Sequence, residues 1–252
     1  MAPAPFIPAG PDLARPPAPG LQARSRAPHA RELAGIPWLA LLEREDRAHA
    51  VAELRVVQAE PRELICRYGR PASYWLGVVD GLLKMSNDTE HGVPMTFTGV
   101  PPGGWFGEGT LLKHENYRYN IQALRRSVVA GIPVATFDAL LARSIAFNRF
   151  VMNQLNERLG QFISAREIDR MTQPDLRVAR SLAALFHPVL YPGVGSVLRI
   201  TQLELGYIVG LSRQRVNEAL RHLQDAGVIR VEYGGVRVLD LEALRGFRPG
   251  AP

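Results

Sequence analysis

The stretch TQLELGYIVGLSRQRVNEALRHLQDAG, Thr201 to Gly227, constrains the fold of this chain more tightly than any other. Thr201 followed by Glu204 is a capping-box pair, so a helix starts at Thr201 and is expected to bury Leu203, Tyr207 and Ile208. Gly210 stops it, Ser212 caps a second helix with Val216, Ala219, Leu220 and Leu223 on its apolar side, and Gly227 supplies the left-handed residue that ends it. Two short helices joined by a glycine turn make a helix-turn-helix. The second helix puts Arg213, Gln214, Asn217 and Glu218 near its N-terminus on the polar side, where a recognition helix meets base edges, and the capping Ser212 belongs to the same DNA-binding set. Arginine pairs with guanine, and Asn or Gln with adenine, at roughly 1 to 3 kcal/mol of discrimination each. Glu218 either accepts from a cytosine amino group or ties back Arg215 or Arg221, while Thr201, Gln202 and Arg215 are placed for phosphates. VIRVEYGGVRVLD then reads as two alternating strands around Gly234 and Gly235, a wing. A helical hairpin with a solvated arginine face explains any one of these signals; together they point to duplex DNA.

Upstream the chain changes style twice. Residues 1–30 hold repeated prolines among alanines, a composition that reads as a disordered tail because it has too few aliphatic groups to offset the entropy of ordering. From Ile36 to about Ala59, Leu39, Leu42, Ala48, Val51, Leu54 and Val57 fall at helical spacing. Between Arg62 and Ala135 the sequence breaks into β-type runs, drawn from ELICRYG, YWLGVVDGLLKMS, VPMTFTGVP and RYNIQALRRSVVAGIPVATF, which imply a small all-β roll. Phe147, Val151, Leu155, Leu159, Phe162 and Ile163 then mark one face of a long helix that ends before TQPD. That stripe packs either onto its own domain or against the same helix of a second chain; its position between two compact regions favours a dimer seam, with Val151, Leu155, Leu159 and Phe162 in it. The expected organisation is a tail at 1–30, a β-roll at 31–145, a dimerisation helix at 146–172 and a winged helix-turn-helix at 173–252, an α+β chain.

Composition narrows the function classes. A formal charge of +6 suits a polyanionic partner and is equally compatible with solubility alone. The single Cys66 excludes an internal disulfide and any thiolate-only metal site, and no apolar run is long enough to span a bilayer, so a cytoplasmic protein without a membrane partner is expected. No nucleophile elbow, P-loop, metal-spaced His and Glu set or paired acid motif is present, which argues against an enzyme.

ITQLELGYIVGLSRQRVNEALRHLQDAGVIRV resembles the winged helix-turn-helix of the Crp/Fnr family of bacterial transcription regulators, and YWLGVVDGLLKMS through GGWFGEGTLL resembles the glycine-punctuated core of that family's cyclic-nucleotide-binding-type β-roll. The likeness covers about Ile36 to Leu244. It implies a homodimeric, sequence-specific regulator on an inverted repeat, with RNA polymerase a further partner consistent with that role. The other function class is a ligand-binding signalling module whose C-terminal domain contacts protein.

In family members that bind cyclic AMP, a Gly-Glu pair and an Arg-Ser pair hold the ligand. The matching residues are Gly107, Glu108 and Arg118, with Tyr119 in place of the serine, and Phe162 and Ile163 where hydroxyl residues of the long helix face the adenine. Glu108 and Arg118 are therefore an effector site, an internal salt bridge or part of a solvated turn, and a cyclic nucleotide is the cofactor that the resemblance brings rather than one the residues assign. The lone Cys66 excludes the cluster sensing of the Fnr branch, and His114 is the one loop histidine placed to ligate a haem, though such a residue is more often simply exposed. No metal site is expected.

Overall fold

The computed structural model describes residues 21–88 and 94–248 of the 252-residue chain. A short α1 (Ala30–Ala34), a 3-10 turn (Pro37–Leu41) and α2 (Arg44–Glu53) lead into β1 (Arg55–Ala59). The roll continues through β2 (Leu64–Cys66), β3 (Tyr74–Asp80), β4 (Leu83–Asp88), β5 (Pro94–Val100), β6 (Trp105–Phe106), α3 (Glu108–Leu112), β7 (Asn120–Ala123) and β8 (Ser127–Pro133). These strands form two antiparallel sheets, ordered β1-β8-β3-β6 and β2-β7-β4-β5. At the β3–β4 turn Gly81 has φ of +106°, and a Cβ there would stand 2.2 Å from Ser127 Oγ, so only glycine fits. Ser127 Oγ in turn accepts from Leu82 N and donates to Arg125 O, which ties this turn to the β7–β8 turn.

Several expectations are corrected here. Val56, Val57 and Ala59 are buried strand residues of β1, not helix; Val51, Leu54 and Val57 satisfy a helical spacing and a short strand equally well, and pairing with β8 decides the matter. VATF of residues 134–137 opens α4 (Val134–Arg143) instead of extending β8. Residues 1–20 of the expected tail lie outside the described residues. Leu21–Arg24 is a 3-10 turn, and Arg26 exchanges backbone hydrogen bonds with Val56. Order therefore begins earlier than a tail to residue 30 implies, because the edge of β1 offers unpaired backbone groups.

The interior holds two clusters. In one, the three tryptophans of the chain, Trp38, Trp75 and Trp105, pack with Phe137 and Phe147, with Trp75 and Trp105 centroids 4.5 Å apart. The other runs from the roll, through Val57, Val100 and Phe106, into the C-terminal helices. Between them lies α5 (Ile145–Asp169), 25 residues long, capped by Ser144 Oγ accepting from Phe147 N.

Its faces differ from the expected seam. Val151 is buried in the chain's own core, and Leu155 and Phe162 pack partly against it. The outward stripe is Met152, Leu159 and Ile163, which are 60%, 61% and 58% exposed. A third face is polar: Gln154 Nε2 donates to Val189 O at 2.9 Å, Glu157 lies 3.2 Å from His187 Nε2, and Gln161 bonds the Tyr191 hydroxyl. These grip the segment that follows α6 (Pro174–Ala184).

The chain closes with β9 (Val197–Leu198), α7 (Gln202–Val209), α8 (Arg213–Asp225), β10 (Ile229–Glu232), β11 (Gly235–Val238) and α9 (Leu241–Gly246). The last sheet has the order β10-β11-β9, and its first hairpin turns on Tyr233 and Gly234, since Glu232 pairs with Gly235. Gly235 is thus a strand residue, and β9 is a third strand that a two-residue run gave no means to foresee.

Candidate nucleic-acid interface and effector cleft

The helix-turn-helix is built by local chemistry. Thr201 Oγ1 accepts from Glu204 N, and Glu204 Oε2 accepts from Thr201 N at 2.7 Å, a complete capping box. Leu205, Ile208 and Val209 turn α7 into the core, whereas Leu203 and Tyr207, expected inside, are about half exposed. The helix is too short for its periodicity to choose between adjoining faces, and packing against α6 chooses the one centred on Leu205. Gly210, at φ of +67°, ends α7 in the left-handed region, and Ser212 Oγ caps α8 by accepting from Arg215 N.

With Val216, Ala219, Leu220 and Leu223 buried, α8 presents Arg213, Gln214, Arg215 and Glu218 to solvent from its first turns. Asn217 is half-buried and accepts from Gln202 Nε2 at 3.0 Å, linking the two helices. Glu218 makes no ion pair among the described residues, so neither Arg215 nor Arg221 is tied back by it. Thr201, Gln202 and Ser212 lie at the helix starts beside this surface, and the wing tip carries Tyr233, fully exposed. The eight residues singled out for DNA in the sequence therefore share one side of the domain.

The other candidate site is an open cleft of about 430 Å³ between α3, the segment that leads into β7, and α5. Gly107, Glu108, Arg118, Tyr119 and Phe162 all line it, together with Lys113, Leu155, Arg158 and Leu159. Glu108 and Arg118 do not form a salt bridge with each other. Glu108, 2% exposed, accepts from Arg158 Nε at 3.1 Å, and Arg158 also donates to Trp105 O at 2.6 Å. Burial works against the Arg158 charge, but Glu108 and neighbouring hydroxyls outweigh it and hold the guanidinium protonated well above its ordinary range. Arg118 is exposed and pairs with Glu115 at 2.9 Å. Tyr119 is half-buried, and its partial burial pushes its phenol up. Ile163 points outward, away from Phe162 and the cleft.

Arg158 is the residue that sequence reasoning missed. Its signal was present: it is a charge on the same helical face as Leu155 and Phe162, a face otherwise apolar. His114 is exposed, 4.0 Å from Asp138, and no group of His, Cys, Asp and Glu fit for a metal occurs among the described residues. Cys66 is buried, which pushes its thiol up to about 12 and leaves it unreactive.

Comparison with known proteins bears directly on both sites. The description "Cyclic nucleotide-binding domain" matches residues 56–144, and "Crp-like helix-turn-helix domain" matches residues 176–247. The transcriptional regulator SdrP of Thermus thermophilus is 30% identical over 172 residues, 67% of this chain and 80% of that protein. The chain belongs to the Crp/Fnr family. Within the family, the cAMP-activated global transcriptional regulator CRP of Haemophilus influenzae is 25% identical over 169 residues, 64% of this chain and 73% of its own length. The solved structure of FixK2 from Bradyrhizobium japonicum superposes with a TM-score of 0.62 at 18% identity, over 78% of this chain and 98% of that one, and so shares the fold. This Crp/Fnr protein is accordingly a transcription regulator with a helix-turn-helix DNA-binding domain. None of its described helices is long and apolar enough to cross a membrane.

Proposed function

We propose that the protein binds duplex DNA as a homodimer, reading an inverted repeat with one α8 in the major groove of each half-site. The observation that carries this reading is the exposed first turn of α8, where Arg213, Gln214 and Arg215 project beside Glu218 while the opposite face is fully buried. Arg213 and Gln214 take base edges, with a guanine and an adenine in each half-site. Glu218, unpaired within the described protein, accepts from a cytosine amino group. Thr201, Gln202 and Arg215 take phosphates, Asn217 links α8 to α7 through Gln202, and Ser212 caps α8.

The two copies meet through α5. Met152, Asn156, Leu159 and Ile163 follow the alternating four- and three-residue spacing of a two-helix seam, and Met152, Leu159 and Ile163 are the exposed apolar residues of this helix after its capped start. The cleft around Glu108 and Arg158 modulates the dimer. Relatives described as cAMP-activated support a small-molecule effector there, but Phe162 gives this cleft an apolar wall where a cyclic-AMP site turns a hydroxyl to the base, and the bulkier Tyr119 stands in place of the serine. Measuring affinity for duplex DNA as a function of salt tests the DNA reading: log K should fall linearly with log salt. Salt-insensitive binding would favour a protein partner for the C-terminal domain.

A further inference from the structure

The β7–β8 turn of the roll reaches the helix-turn-helix. Arg125 in that turn donates from Nε to Glu204 Oε1 at 2.8 Å and from a terminal nitrogen to Glu204 Oε2. Glu204 is the capping-box carboxylate of α7 and the one acid in that helix's first turn. The roll therefore neutralises the negative charge that would otherwise stand at the helix end assigned to DNA phosphates. Beside Arg125 are two exposed arginines. Arg126 is set loosely against Glu60, with its Nε 3.6 Å from the carboxylate and both side chains largely in solvent. Arg199, two residues before Thr201, forms no ion pair among the described residues. All three line a single cleft of about 300 Å³ at the junction of the roll and the C-terminal domain, where Asp80 is the only acidic lining residue. A second cleft, beginning at the next residue, Ile200, is lined by Thr201, Gln202 and Arg213, with Glu232 its one acidic lining residue.

We propose that the roll itself is part of the DNA interface: Arg126 and Arg199 each hold a backbone phosphate next to those held by α7, and Arg125 screens Glu204 so that the phosphates can approach. This rests on the reading that α8 enters the major groove. An exposed pair such as Arg126–Glu60 is worth little, so exchanging the carboxylate for a phosphate costs little. The gain is uniform over sequences, because phosphates carry no base identity. The roll thereby becomes an element whose position relative to α7 sets affinity without altering the consensus.

The test uses the full chain and a duplex bearing its selected site. Binding is measured across a salt series for the wild type, Arg126→Ala/Arg199→Ala, Arg126→Lys/Arg199→Lys and Arg213→Ala. Each phosphate contact contributes about 0.9 to the salt slope, so the double alanine variant of a dimer should lose roughly three to four from it. It should keep the wild-type consensus, and the lysine variant should keep most of the slope. Both pairs of side chains are exposed, so melting temperatures should not move. An unchanged slope in the double alanine variant, with the wild type steeply salt-dependent and Arg213→Ala altering base preference, would overturn the proposal and leave the major-groove reading standing. That outcome would include the case of an acidic protein partner on this surface. A wild type that shows no salt-dependent binding, and no response to Arg213→Ala, would overturn both.

Discussion

Arg158 of α5 and Glu108 of α3 form a buried ion pair, Nε to Oε1 at 3.1 Å, in which each residue retains one polar atom, Arg158 Nη1 and Glu108 Oε2, without a partner among the described residues. The pair joins the long helix to the floor of the cleft, and Trp105 O, the second acceptor of Arg158, belongs to the tryptophan cluster. Removing one member strands the other. Glu108→Ala should therefore cost on the order of 3 to 5 kcal/mol, and Glu108→Ala/Arg158→Met much less than the sum of the two single changes. Denaturation followed by tryptophan fluorescence measures both. Additive losses would mean that the two charges do not depend on each other.

The seam on α5 is tested by placing charges on it. Leu159→Lys/Ile163→Lys should give folded monomers with little specific DNA affinity, since both residues are exposed in the single chain. Val151→Lys should instead unfold the roll, because Val151 is 2% exposed. Sedimentation separates these outcomes. A wild-type sedimentation coefficient for the double variant would remove the seam from this face.

Cyclic AMP should bind weakly, or bind without raising operator affinity. Tyr119 stands half-buried at the position of a phosphate-binding serine, Phe162 presents a ring to the cleft, and Ile163 faces outward, so neither Phe162 nor Ile163 offers a hydroxyl to a base edge. Calorimetry on the wild type, with and without its DNA site, reads this directly. Micromolar cyclic AMP binding coupled to a large gain in DNA affinity would require Tyr119 to leave the cleft.

Two histidines of the C-terminal half should titrate with opposite signs. The hydrogen bond that His222 donates to the Asp175 carboxylate raises its pKa above the ordinary 6.5, so its contribution to stability is present below that pH and is lost as pH rises through the higher folded value. Burial lowers His187 below 6.5, more than Glu157 raises it, so its contribution is present above 6.5 and is lost as pH falls through the lower folded value. Ring-proton titrations by NMR should place the two on either side of 6.5, and Asp175→Asn should return His222 toward it. Coincident titration curves would contradict the assignment.

What was legible in the sequence was what is local. Thr201 with Glu204, Gly210, Ser212 and Gly227 each act within a few residues of themselves, and the structure shows each of them capping or ending a helix. Gly107, Glu108, Arg118, Tyr119 and Phe162 were also named together, through resemblance, and all line one cleft. The contacts that organise both sites were not, because they join residues far apart in the chain: Arg158 to Glu108 across 50 positions and Arg125 to Glu204 across 79. Nothing in the spacing of arginines says which carboxylate each will meet. The apolar stripe on α5 was recognised but divided wrongly, because Val151 and Met152 are neighbours and only packing decides which of them the roll takes.

The central claim is that two α8 helices read a symmetric site, and binding-site selection on the wild type and Arg213→Ala tests it most directly. The wild type should select an inverted repeat with half-site centres about 34 to 36 Å apart. Arg213→Ala should relax the preference at one base pair per half-site, at roughly 1 to 3 kcal/mol on the best sequence. An asymmetric or unstructured wild-type consensus would contradict the dimer on a palindrome, and an unchanged consensus for the variant would contradict the base contact assigned to Arg213.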